Sequence, residues 1–383
     1  MKKCPIILEG LSMIETKEIK IDGVLHSAQK HSINKSAPTF VSITEQIEGL
    51  DPIDFFQTGK SMGEDRVFWQ SADQKTTFVG VGEALLFHDE DDSYQELKAN
   101  WKQVLKNSWI VNPFDQYKTG PIAFGGFPFD ADEKTAELWK SFNGSQFRVP
   151  TFLLTIESNQ TFLTTTAYVE QGSNVDQLAA ELITRKNQLL YAQKPTYQEN
   201  NIVLKHEVDP IQWKKLVKQA TNTIDSKKVD KIVLARELQI GRVLDQLRNT
   251  QENSFIFAWE KESVCFIGAT PERLVKVDQQ QLISTCLAGT APRGKTQEED
   301  NQLGQQLLHD QKNRNEHQIV VDMIKDAVSS FAKYVEIPEQ PILYPLKNLQ
   351  HLFTPVQAEL DQGYTLLDVV EKPKIRVINK SPA

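Results

Sequence analysis

Three side chains combine a reactive type with a suggestive setting: Lys231, Glu272 and Glu316. Lys231 opens the run Lys-Ile-Val-Leu-Ala-Arg236 and on a strand would share a face with Val233 and Ala235. Buried there, its amine would have a lowered pKa and could serve as a base. At a strand end the same side chain would keep its head in water. Glu272 follows an apolar strand in Gly268-Ala-Thr-Pro-Glu-Arg-Leu274, at a turn of the kind that presents side chains to a cleft. The competing reading is a surface carboxylate paired with a neighbour. On a helix, Glu316 lines up with Val320, Met323 and Ala327, which points a carboxylate toward the core. A buried carboxylate must be protonated, paired with a cation or bound to a metal; the alternative is a Glu at the polar edge of the stripe.

Other common chemistries lack their residues. There is no Gly-x-Ser-x-Gly elbow, no phosphate loop and no His-Glu-x-x-His, and the seven His residues are scattered. Gly80-Val81-Gly82 starts like a dinucleotide fingerprint, but Leu85 stands where the third Gly belongs, so the run reads as a strand turn. Lys plus Arg total 43 against 51 Asp plus Glu, a net charge of −8 with no long basic block, which argues against a nucleic-acid partner. The longest stretch without a polar side chain, Gly120 to Phe129, contains Pro and three Gly and falls short of the ~18 residues of a membrane span. Lys2 and Lys3 precede an apolar patch, but Glu9 interrupts it and no small-residue cleavage site follows. Cys4, Cys265 and Cys286 have no regular spacing and cannot all pair, as in a reducing compartment. The expected location is cytoplasmic.

The elements that must carry these residues are mixed α and β. The 383 residues suffice for a large core. Residues 1–38 have no sustained period and read as an N-terminal arm. Strand patterns follow at Arg66–Gln70, Thr76–Gly80, Pro121–Phe129, Thr151–Ile156 and Thr161–Val169, with helices at Ser93–Lys106 and Val175–Ala192. The polar stretch 194–207, opening on Lys194-Pro195, is the candidate linker between an N-terminal half, 39–200, and a second half, 201–383. In the second half, Asp209-Pro210 starts a helix expected to turn Trp213, Leu216, Val217, Ala220 and Ile224 inward. Strands are expected at Lys231–Ile240, Ser254–Trp259 and Val264–Gly268, then a hairpin around Asp278–Gln281 and a long helix through Glu316–Phe331.

Taken with their neighbours, the three positions resemble the chorismate-utilising enzymes. The strings are Lys231-Ile-Val-Leu-Ala-Arg236, Phe266-Ile-Gly-Ala-Thr-Pro-Glu-Arg-Leu274, Cys286-Leu-Ala-Gly-Thr-Ala-Pro-Arg-Gly294, Asn315-Glu-His-Gln-Ile-Val-Val321 and Leu349-Gln-His-Leu-Phe-Thr354, in the family's order. Upstream, Gln46-Ile-Glu-Gly-Leu-Asp-Pro52, Phe55-Phe56, Phe68-Trp69 and Phe124-Gly-Gly-Phe-Pro-Phe-Asp130 look like the N-terminal half of the menaquinone-pathway isochorismate synthases. The resemblance covers about residues 39 to 372. It implies an α/β (α+β) chorismate-binding fold of two extensive, mostly antiparallel sheets with outer helices. It also implies an isomerase that converts chorismate to isochorismate with Mg²⁺: water adds at C2, the ring double bonds shift and the C4 hydroxyl departs.

By matching motif positions, the resemblance makes Lys231 the general base toward water and Glu272 the general acid for the departing hydroxyl. Glu316 becomes a Mg²⁺ ligand. Gly289 and Thr290 let backbone approach the substrate, and His351 lines the pocket. Within the family, anthranilate synthases usually carry Gln where this chain has Lys231, so lysine argues for water as the nucleophile. Aminodeoxychorismate synthases commonly carry Lys where this chain has Ala288. Salicylate synthases share the water-adding machinery, and the N-terminal strings favour the menaquinone type over them.

After Leu366-Leu-Asp-Val-Val-Glu-Lys372 the family continues into a Leu-His-Pro-Thr-Pro-Ala-Val-Gly-Gly string, whereas this sequence reads Pro373-Lys-Ile-Arg-Val-Ile-Asn-Lys-Ser-Pro-Ala383. The family's following part holds a second Mg²⁺-ligating Glu. On this reading the catalytic half is truncated after about residue 372 and the chain as written is expected to be impaired. The alternative to an active isochorismate synthase is a catalytically silent chain that at most binds chorismate or partners.

Overall fold

The computed structural model describes residues 20–89, 94–114, 118–128, 137–192, 206–207, 210–227, 238–239, 243–262 and 264–371. From the N-terminus run α1 (Ile21–Lys35), β1 (Thr39–Ile47), α2 (Pro52–Ser61), β2 (Arg66–Gln70), β3 (Thr76–Val81), β4 (Leu85–Asp89), α3 (Tyr94–Lys106), β5 (Ser108–Val111) and β6 (Phe124–Gly126). After a 3₁₀ turn at Glu137–Phe142 come β7 (Ser145–Val149), β8 (Phe152–Glu157), β9 (Gln160–Val169), α4 (Val175–Tyr191), β10 (His206–Glu207), α5 (Pro210–Asp225), β11 (Leu238–Gln239) and α6 (Val243–Thr250). The chain continues through β12 (Phe255–Lys261), β13 (Val264–Thr270), β14 (Lys276–Asp278), β15 (Gln281–Pro292), α7 (Gln297–His309) and α8 (Gln311–Ser329). It then forms β16 (Ala332–Glu336), β17 (Ile342–Pro345), β18 (Leu349–Leu360) and α9 (Leu366–Glu371).

Two sheets carry the fold, as the resemblance implies. The larger has eight strands in the order β13-β12-β2-β3-β8-β9-β1-β5, antiparallel except for the β1/β5 pair. The second runs β14-β15-β18-β16, with β17 also on β18. A small sheet, β4-β7-β6, and the short β10/β11 pair complete the set among the described residues. The larger sheet takes β12 and β13 from beyond residue 200, so a boundary there does not separate the sheets.

Turn chemistry and alternation account for much of this. The run expected at Thr76–Gly80 is β3, Thr76–Val81, and Gly82 leaves the strand at φ 75°; of Gly80-Val81-Gly82 only the last glycine takes the turn conformation. Asp278 pairs with Gln281 across the β14/β15 hairpin, as its polar tip predicts. Pro52 and Asp51 start α2; the Asp51 carboxylate accepts from the N–H groups of Ile53 and Asp54 at 2.7 and 3.1 Å.

The larger core lies between the eight-stranded sheet and α1, α2 and α4, where Leu25, Phe55, Phe68, Leu154 and Leu182 are buried. The stretch read as an arm therefore contains a core helix. Ile21, Leu25, Ala28 and Ser32 form its buried stripe. The second core packs α8 against β15 and β18 through Val321, Ile324, Val328, Leu282, Val356 and Ala358. It corrects the phase of α8. The inward face is His317, Val321, Ile324, Ala327 and Val328, while Glu316 is exposed beside it. A further correction concerns α5, in which no described residue is buried: Leu216 and Val217 are each 39% exposed.

Ion pairs tie the small sheet to the larger one and join strands within the larger one. Arg148, 1% exposed, donates to Asp65 at 2.8 Å and lies 3.0 Å from Glu83. Arg66 joins β2 to β12 through Glu260 and rests over the Phe56 ring. Such buried cations require partners because desolvation of a lone charge is costly.

Candidate active site on the second sheet

The site grows from an irregularity in β15. Its pairing with β18 is regular from Gln281 to Ala288, shifts register between Ala288 and Thr290, and resumes with Thr290 opposite His351. Gly289 occupies the shift at φ 77°, a conformation that only glycine adopts cheaply. The bulge reorients Thr290, whose Oγ1 lies 3.0 Å from His351 Nδ1 across the strands. Two residues expected to meet the substrate, one on each strand, are thus a hydrogen-bonded pair.

Helix α8 runs alongside. Asp310 caps it by accepting from the Asn313 N–H at 2.8 Å. A Cβ placed on Gly289 would lie 3.2 Å from Asn313 Cβ, so the first turn of α8 stands directly against the bulge. Glu316 and His317, one turn further along, flank that line of approach on the exposed and buried sides.

Glu272 reaches the same region from the larger sheet. The segment after β13 is stitched to β15: Ser284 Oγ donates to Leu274 O at 2.6 Å, and Thr285 Oγ1 donates to Arg273 O at 3.2 Å. Glu272 itself is exposed, and its N–H donates to Thr270 Oγ1 at 3.2 Å. Burial, with the Glu272 charge adding to it, pushes the Cys286 thiol up to about 12, so that sulfur stays protonated. Burial also moves His317 below the usual histidine range, which keeps it neutral.

The structure places Gly289, Thr290 and His351 at the β15/β18 bulge, Glu316 exposed on the helix beside it, and Glu272 on the loop tied to the middle of β15. Lys231 lies outside the described residues. Sequence reasoning missed Asn313 and His317, which stand against this strand. The signal for His317 was its place one residue after Glu316 in the same apolar period, where a polar residue needs buried partners.

Mg²⁺ prefers carboxylate oxygen, and Glu316 carries an exposed carboxylate. Among the described residues no group of three or more His, Cys, Asp or Glu side chains converges as a metal site. The donor chemistry suits Mg²⁺ as a single protein contact shared with other ligands. No described helix is long and apolar enough to cross a membrane.

Comparison with known proteins gives the chain's family and fold relatives. The chain is 35% identical over 365 residues to isochorismate synthase MenF of Bacillus subtilis, covering 91% of this chain and 77% of that protein. It is 27% identical over 346 residues to the salicylate biosynthesis isochorismate synthase of Pseudomonas aeruginosa, covering 87% and 71% respectively. The fold matches the solved structure of MenF, the menaquinone-specific isochorismate synthase of Escherichia coli, with a TM-score of 0.67 at 18% identity over 93% of this chain and 80% of that one. Residues 25–372 match the chorismate binding enzyme family, and the chain belongs to it.

Proposed function

We propose that the site on β15, β18 and α8 binds chorismate and converts it to isochorismate, in the manner of the menaquinone-type synthases. The observation that carries this reading is the Gly289 bulge, with Thr290 bonded to His351 on one side and Asn313 of α8 on the other. A carboxylate-bearing ring needs close backbone approach and hydrogen-bond donors, and the bulge offers both.

In this reading Lys231, as a neutral amine, takes the proton of the water that adds at C2. Glu272 acts as the general acid toward the hydroxyl departing from C4. Its carboxyl is carried on a loop that two side chain to backbone bonds hold to β15. Thr290 and His351 orient the ring, and Gly289 admits it close to the backbone. Glu316 would hold Mg²⁺, which when bound supplies positive charge for a substrate carboxylate.

The test has a binding arm and a turnover arm. Chorismate should bind saturably to the purified chain, and binding should weaken in Thr290→Val and His351→Phe. With Mg²⁺, chorismate should be consumed and isochorismate should form, with loss of turnover in Lys231→Ala by ~10²–10⁴. Absence of chorismate binding would overturn the proposal. Binding without turnover would favour the catalytically silent alternative, and salicylate as the product would favour the salicylate-forming one.

A further inference from the structure

His317 is buried, lies outside the reaction described above, and ties its own helix to two strands. From α8, its Nδ1 is 3.2 Å from the carbonyl oxygen of Ala288 on β15, and its Nε2 is 2.8 Å from Thr354 Oγ1 on β18. A carbonyl can only accept, so in the neutral ring Nδ1 carries the hydrogen and Nε2 accepts from the Thr354 hydroxyl. Cys286 closes the ring of contacts: its Sγ lies 3.6 Å from the same Nδ1 and donates to the His317 carbonyl oxygen at 3.7 Å, which leaves Ala288 O as the nearer acceptor for Nδ1–H. Ala288 is the last residue in register before the bulge. The imidazole therefore grips the strand where the chain turns into Gly289, and its backbone neighbour Glu316 is carried on the same helical turn.

The geometry points to His317 as a positioning residue for the chorismate site: its Nδ1–H bond to Ala288 fixes the Gly289–Thr290 bulge relative to the helix that carries Glu316. The inference rests on the proposed reading of that site. A purely space-filling histidine would be replaced equally well by any ring of similar size. A residue that works through the Ala288 bond would be replaced by asparagine, whose amide N–H occupies nearly the position of Nδ1–H, and not by phenylalanine.

The test uses His317→Phe, His317→Asn and Thr354→Val in the full chain, with two readouts. One is amide hydrogen exchange at residues 287–291; the other is the chorismate dissociation constant, with KM and kcat measured separately where turnover is present. His317→Phe should speed exchange at Gly289 and Thr290 by about tenfold and weaken chorismate binding by about tenfold, the worth of one lost hydrogen bond to a buried carbonyl. His317→Asn should bring both to within about threefold of the parent, and the loss should fall on KM more than on kcat. A folded His317→Phe protein with parental exchange and parental affinity would overturn the inference, as would an asparagine variant no better than phenylalanine. Should His317→Phe fail to fold, His317→Asn and Thr354→Val decide: asparagine near parental with valine weaker in binding supports the inference, and parental behaviour of valine together with loss in asparagine sinks it. Should the parent bind no chorismate, the function proposed above fails, yet the exchange comparison still tests the role of His317.

Discussion

Replacing Gly289 by alanine separates the bulge from every other feature of the second sheet. At φ 77° a side chain costs roughly 1–2 kcal/mol through the clash of Cβ with the backbone. The new methyl would also lie 3.2 Å from Asn313 Cβ, 3.2 Å from Leu352 Cδ1 and 3.3 Å from Asn313 Oδ1, so α8 or β18 must give way slightly. Overpacking of this kind adds on the order of 1 kcal/mol, for a total of about 2–3 kcal/mol. Gly172 provides the control: its φ is not left-handed and a Cβ there meets nothing within 4 Å. Gly172→Ala should fall within about 0.5 kcal/mol of the parent. Urea unfolding followed by tryptophan fluorescence should give a lower midpoint at unchanged slope for Gly289→Ala. Chorismate affinity should fall in the same variant because Thr290 shifts with the strand. Equal midpoints for the two alanine variants would refute the claim that the bulge requires glycine.

Three further outcomes follow from features of the fold. Arg148→Met should cost about 2–3 kcal/mol in urea unfolding, less than a fully buried pair, because Asp65 and Glu83 are 32% and 37% exposed and regain water; parental stability would contradict this. The Arg293 guanidinium and the Gly294 N–H hold the Asp300 carboxyl at about 2, below its ordinary 3.8. Its folded-state value being depressed, the stability it contributes is present above 3.8 and is lost as pH falls toward 2, so the deficit of Asp300→Asn should be constant at neutral pH and vanish across that acid window. In Glu316→Gln the Mg²⁺ concentration that half-saturates chorismate binding should rise at least about tenfold, and coincident titrations would remove Glu316 as a ligand.

Local patterns were the most legible part of the sequence. Arg66–Gln70 is β2 residue for residue, because a short β-branched and aromatic run bounded by polar turns specifies a strand without reference to distant partners. Helix α8 shows the limit of periodicity. Its spacing is right, but its phase is off by one, because Glu316 and His317 are both polar. The choice between them depends on Ala288 O and Thr354, partners supplied by other strands. The apolar spacing of α5 likewise reveals a helix but not what its face meets. In α1, Ile21, Leu25, Ala28 and Ser32 held a readable period diluted by Lys and His residues. At the site, Glu272 and Gly289–Thr290 stood out only through resemblance, since the side chains that stitch residues 273–274 to β15 lie ten and twelve residues away in sequence.

The pairing of β12 with β2 also sets a timetable. Phe68 faces Ala258 across that junction, and the Arg66–Glu260 ion pair spans 194 residues of chain. A ribosome adding about 5–20 residues per second needs on the order of 10–40 s to deliver the second strand after the first. Throughout that interval β2 has no partner on one edge, and long-range closure of this kind slows folding. The emerging N-terminal portion thus carries an apolar strand edge with Phe68 and Trp69 available to other nascent chains. During synthesis this edge, rather than the finished active site, is where a chaperone would have most to protect.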